Sequence, residues 1–143
     1  MSVFIDTGVF FAQHDEAAPR HPKATEAMSS VLGGTFGQPY TSDYVIDETI
    51  TLTRKRSGSY EAALTAGQRI LGLEGYPDHI QTIQITTELF EHSLKTFRQY
   101  SDHELSFTDA CTIAVVEKYD IDSVLSFDDD FDGIVERIDP STV

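Results

Sequence analysis

The sequence predicts an α/β fold with a central parallel sheet of about four to five strands, flanked by helices on both faces. Two observations carry that expectation. Short apolar, β-branched runs alternate along the chain with longer stretches whose apolar residues recur at helical spacing. The first of the runs, Val3-Phe4-Ile5, has no polar member, as befits a parallel strand buried on both faces.

The elements follow in order. The first strand covers roughly residues 2–6, and a short helix follows through Val9, Phe10 and Phe11. Pro19 and Pro22 suit the first turn of the next helix, which runs to about Leu32 and ends at Gly33-Gly34. Residues 38–41 form a short strand. Residues 42–56 read as helix, with Val45, Ile46, Thr49, Leu52 and Thr53 at helical spacing. Ser57-Gly58-Ser59 breaks it, and a second helix covers residues 60–73 before the turn marked by Gly72, Gly75 and Pro77. Residues 79–85 alternate as a strand. Residues 87–100 are expected to be an amphipathic helix packing through Phe90, Leu94 and Phe97, and residues 106–119 another helix. Residues 121–127 form the next strand and residues 134–138 a last one. In such a sheet, sites gather beyond the carboxyl ends of the strands.

The 143 residues suit one domain spanning residues 1–143, and 40% hydrophobic content supports a folded core. No apolar run is long enough to span a membrane, and the start of the chain lacks a signal-peptide pattern, so a cytoplasmic protein without a membrane partner is expected. The lone Cys111 lies in an apolar helical stretch and is expected to be buried; a cysteine zinc site is excluded. The net charge of −14 comes from 24 acids against 10 bases. Dispersed acids repel nucleic acid in dilute salt and suit a salt-rich surrounding; a basic partner is the second reading.

Within this acidic background a few carboxylates stand in special places. Asp6 closes the first strand, where a buried charge is costly unless paired, and the first basic residue, Arg20, is fourteen positions on. Asp128 closes the strand ending in Val124-Leu125-Ser126-Phe127 in the same way. Asp109 lies in the first turn of its helix beside Phe107, Ala110 and Cys111, and Glu48 lies mid-helix between Ile46 and Ile50. Gathered in one pocket, these acids would repel one another unless a divalent cation joined them. An all-oxygen donor set points to Mg²⁺ or Mn²⁺, the ions suited to hydrolysis of a phosphodiester. Three aspartates in a row leave the last member open: Asp128 fits the strand end best, Asp130 is second, and Asp129 is the third candidate. Asp47 turns away from Glu48 on a helix, and Asp43 stands more than a turn earlier at the rim.

Taken together, the segments FIDTG, TSDYVIDETITL, LSFTDACT and VLSFDDDFD resemble, in order and spacing, the PIN domain, the fold of metal-dependent VapC-like toxin ribonucleases. The resemblance runs from Val3 to about Ile138. It implies a PIN-like fold in which Asp6, Glu48, Asp109 and Asp128 form the catalytic metal site, with Thr7, Thr108 and Ser126 in support through their hydroxyls. It also implies endonucleolytic hydrolysis of RNA leaving a 5′-phosphate and a 3′-hydroxyl, a cognate antitoxin partner in a type II toxin–antitoxin pair, and a homodimer.

Arg54-Lys55-Arg56 is the densest basic cluster. It serves either to stabilise a helix C-terminus or to bind substrate phosphates, and Arg20, His21 and Lys23 form a looser cluster with the same choice. The segment from Asp128 to Gly133 imitates an EF-hand calcium loop, but the strand before it removes the entering helix that such a loop needs. The alternatives to a toxin nuclease are a non-catalytic module of the same fold for RNA binding or assembly, and a stand-alone RNA-processing nuclease. A phosphatase with Asp6 as nucleophile is disfavoured, because Asp6-Thr7-Gly8 has no second carboxylate two residues on.

Overall fold

The computed structural model describes residues 1–143. Five strands and six helices alternate: β1 (Ser2–Ile5), α1 (Thr7–His14), α2 (His21–Leu32), β2 (Gln38–Ser42), α3 (Asp43–Ser57), α4 (Tyr60–Leu71), β3 (Gln81–Ile83), α5 (Thr87–Gln99), α6 (Phe107–Tyr119), β4 (Ser123–Leu125) and β5 (Arg137–Ile138). Single turns of 3-10 helix lie at Asp129–Phe131 and Pro140–Thr142. The strands form one sheet in the order β3-β2-β1-β4-β5, and every pairing is parallel. Val3, Phe4 and Ile5 of the central strand are all fully buried, which requires cover on both faces of the sheet.

Local chemistry sets the helix ends. Ser42, Ser59, Thr86 and Ser106 each accept a backbone N–H from the first turn of the helix they precede. Gly58, left-handed at φ 68°, closes α3. The sheet order reverses at β1: the chain adds β2 and β3 on one side and then crosses to β4 on the other. That reversal opens a crevice beyond the carboxyl ends of β1 and β4.

Two expectations change. The strands are shorter than their apolar runs, so Asp128 stands three residues past the end of β4 rather than at its tip. The core-facing side of α5 is also not the aromatic stripe. Leu89, Ser93 and Thr96 are buried, whereas Phe90, Leu94 and Phe97 remain 39–47% exposed. Small hydroxyl residues can face inward here because Ser93 donates to Leu89 O and Thr96 to His92 O within the helix, leaving no polar atom unpaired. Phe90 and Phe97 instead flank the ring of Phe107, at 5.4 and 5.8 Å between centroids. Cys111 is buried as expected.

Candidate active site

The register of β1 on β4 pairs Ile5 with Leu125, which brings Asp6 alongside Ser126. Asp6 donates its N–H to Leu125 O at 3.1 Å, continuing the ladder by one bond. Its carboxylate is then free to leave the sheet, and it accepts the Ser126 hydroxyl at 2.7 Å. Ser126 is fully buried and also accepts the Asp128 N–H at 3.0 Å. One hydroxyl thus ties together the acids that follow β1 and β4. Asp109 reaches the same place from the first turn of α6. Its Oδ2 accepts the Ser106 N–H while Ser106 Oγ accepts the Asp109 N–H, both at 3.0 Å. This capping box fixes one carboxylate oxygen of Asp109 and leaves the other unengaged.

Asp6, Glu48, Asp109 and Asp128 line one depression, together with Thr7, Gly8, Arg20, Leu52, Glu104, Ser106 and Phe127. The four acids expected to meet from the sequence therefore do meet. Burial pushes the Asp6 carboxyl up to about 6 against the pull of the Ser126 hydrogen bond, and the charges of Glu48 and Asp128 push the same way. Burial pushes Asp109 up to about 7, helped first by the charge of Asp6 and also by that of Asp128. Asp130 does not line this depression. Its N–H is accepted by Asp128 Oδ1 at 2.9 Å, and the Asp128 charge raises its carboxyl above the usual range. Of the three consecutive aspartates, Asp128 faces the depression.

The neighbours divide. Thr7 is 5% exposed at the floor of the site, and its Oγ1 has no hydrogen-bond partner. Thr108 lines an adjoining hollow with Glu48 and Lys55. Asp47 lines that hollow as well, while Asp43 is drawn away to accept the N–H groups of Tyr44 and Ile85. The basic cluster splits too. Arg54 lies 5.7 Å over the ring of Tyr60, Lys55 lines the hollow beside Glu48, and Arg56 lines another that runs from Gly8 and Arg20. Sequence spacing missed Glu104 as a member of the site, and it offered Arg20 only within the looser basic cluster with His21 and Lys23, not beside the acids. It had Arg20 too far along the chain to matter to Asp6; the turn into α2 carries it back, yet its charge is not among the influences on Asp6.

The donors suit a hard divalent cation. They are oxygens only, they repel one another when ionised, and the unpaired buried hydroxyl of Thr7 stands among them. The family profile of the PIN domain matches residues 3–136.

The chain belongs to the PIN-domain family. This PIN domain is 29% identical over 136 residues to the 23S rRNA-specific endonuclease VapC20 of Mycobacterium tuberculosis, an alignment that covers 94% of this chain and 96% of the relative. The crystal structure of that protein, described as a Sarcin-Ricin loop cleaving toxin, superposes with a TM-score of 0.77 at 28% identity, over 90% of this chain and 92% of the other. A VapC ribonuclease of Archaeoglobus fulgidus is 25% identical over 134 residues, 92% of this chain and 80% of the relative. A toxin–antitoxin complex from Klebsiella pneumoniae shares the fold at a TM-score of 0.65 and 17% identity, covering 96% of this PIN domain and 97% of that chain.

Proposed function

We propose that this PIN domain is a divalent-metal-dependent endoribonuclease, the toxin of a type II toxin–antitoxin pair, acting as a single unit over residues 1–143. The observation that carries the reading is the convergence of Asp6, Glu48, Asp109 and Asp128 in one depression at the crevice of the sheet. The VapC relatives support the reaction class.

Asp6, Glu48, Asp109 and Asp128 would hold Mg²⁺ or Mn²⁺. When bound, the ion supplies activation of a water and stabilisation of charge on the phosphodiester. The protein's own contributions are positional. Ser126 orients Asp6 through its hydroxyl, and the capping box orients Asp109. Thr7 offers a free hydroxyl at the floor, and Lys55 and Arg56 stand beside the depression as phosphate contacts. Thr108 supports the Glu48 side of the site. Arg54 is the weakest of the three cluster members as a substrate contact, because it is turned onto Tyr60.

The partners follow from the same reading. The net charge of −14 favours a basic antitoxin. The homodimer is proposed on α5, whose exposed Phe90, Leu94 and Phe97 run between acids at one end, Glu88 and Glu91, and bases at the other, Lys95 and Arg98. Two copies packed antiparallel about a twofold set the acidic half of each against the basic half of the other.

Cleavage of RNA by the purified chain tests the proposal. Mn²⁺ or Mg²⁺ is expected to raise the melting temperature, because a bound ion stabilises only the folded state. Asp6→Asn is expected to abolish cleavage while leaving the protein folded by circular dichroism. Cleavage that survives Asp6→Asn or EDTA would remove the metal-site assignment.

A further inference from the structure

We infer that Arg20, stacked on Phe127 at the rim of the acidic depression and backed by Arg56, grips a phosphate of the RNA strand next to the one being cleaved. The inference rests on the nuclease reading above and adds a positioning device to it.

Arg20 is in an unusual situation for this chain. Acids outnumber bases 24 to 10, and Arg20 shares a depression with Asp6, Glu48, Glu104, Asp109 and Asp128. Yet it forms no ion pair; among the Lys and Arg residues only Lys118 and Arg137 do. Its guanidinium lies instead over the ring of Phe127, 4.8 Å from the centroid. A cation–π contact of this kind holds the group without using its N–H donors, which lie in the plane of the fork. Those donors match the oxygens of a phosphate.

The backbone beneath it is also held. Arg20 sits between Pro19 and Pro22, which restrict the local chain, and His21 Nδ1 is 2.8 Å from Ala12 O, fastening the turn to α1. Phe127 in turn lies between Ser126, whose hydroxyl reaches Asp6, and Asp128, whose N–H that hydroxyl accepts. The stack therefore sets the guanidinium at a fixed place relative to the carboxylates.

The depression does not end at Arg20. It continues over Gly8 into a second hollow lined by Phe11, Pro19, Leu52 and Arg56, with Arg20 shared between the two. A Cβ at Gly8 would meet nothing within 4 Å, so the floor between the hollows is open. A strand whose scissile phosphate lies over the acids thus has a path past Arg20 towards Arg56. On a molecule of net charge −14, such local cations are what allows a polyanion to settle in one place.

The test is steady-state cleavage of a short single-stranded RNA by the full chain with Mn²⁺, across a range of KCl concentrations. Arg20→Ala is expected to raise KM about tenfold while kcat stays within about twofold, the signature of lost binding rather than lost chemistry. The slope of log KM against log salt should fall by about 0.7, one phosphate contact on a single strand. Arg20→Lys should restore the slope but only part of KM, and Phe127→Leu should raise KM in the same direction by less. Arg69→Ala, which removes a charge held over Tyr76 and outside both hollows, should change neither. Unchanged KM and slope in Arg20→Ala overturn the inference. So does a loss confined to kcat, which would make Arg20 an electrostatic support of the carboxylates. If the unmodified chain does not cut RNA, the nuclease reading fails by itself. RNA binding by Asp109→Asn is then compared with that of the Arg20→Ala/Asp109→Asn double variant by fluorescence anisotropy; equal Kd values overturn the clamp.

Discussion

Between pH 3.8 and about pH 6, Asp6 and Asp109 hold protons in the folded protein that the unfolded chain has already released. Their carboxyls are raised from the ordinary 3.8 to about 6 and about 7, first by burial. Stability from this source is fully present below pH 3.8 and is lost as the pH rises through about 6 and then about 7. In EDTA the melting temperature is therefore expected to fall between about pH 4 and about pH 8, and Mn²⁺ at the upper end should recover it. A flat profile in EDTA would contradict the burial of these charges. Asp109→Asn keeps an oxygen for the Ser106 N–H and removes the charge. It should raise metal-free stability at pH 8 by on the order of 1–3 kcal/mol while abolishing cleavage. Asp6 and Asp128 were legible from the runs they close, whereas Glu48 and Asp109 stand out only through the order of the four segments that resemble the PIN domain. Glu104 was not legible, since it has no local pattern, and the basic cluster of Arg20, His21 and Lys23 carries no sign of where it stands; only the path of the chain between elements brings Arg20 and Glu104 to the rim.

The helices carry their start signals openly. Ser42, Ser59, Thr86 and Ser106 each cap the helix that follows, one residue ahead of its first turn. At α6 the cap does two jobs, since the residue it bonds is Asp109. Ser106→Ala is expected to cost about 1 kcal/mol in chemical denaturation and to slow cleavage as well, because the Asp109 N–H loses its acceptor and the turn that carries the site acid loosens, although the Ser106 N–H still reaches the carboxylate. A stability loss with full activity would mean that the box serves the helix alone. α5 was the element read least well. Helical spacing reveals a stripe of Phe90, Leu94 and Phe97 but not which side of the helix meets the core. The core chose Leu89, Ser93 and Thr96, whose hydroxyls are satisfied within the helix. If the exposed stripe joins two copies, Leu94→Glu should shift the protein to monomer in sedimentation with its melting temperature little changed; an unaltered sedimentation coefficient would move the interface elsewhere.

At the scale of the whole molecule, the parallel α/β architecture was legible from the alternation of runs, whereas the strand order was not, because periodicity carries no information about which strands are neighbours. The charge of −14 makes a prediction of its own. Added KCl at neutral pH should raise the melting temperature as it screens repulsion among the acids, and a fall would show that ion pairs dominate instead. The order of the sheet has a consequence in time. Asp6 and its hydroxyl partner Ser126 are 120 residues apart, joined by the pairing of the first strand with the fourth. A nascent chain emerging from the ribosome presents Asp6 at once but has nothing to complete the crevice until β4 and Asp128 leave the exit tunnel. Such an enzyme is born unarmed. The full set of acids comes together only once the first strand has paired with the fourth, so a fragment that stops before Asp128 lacks part of the site.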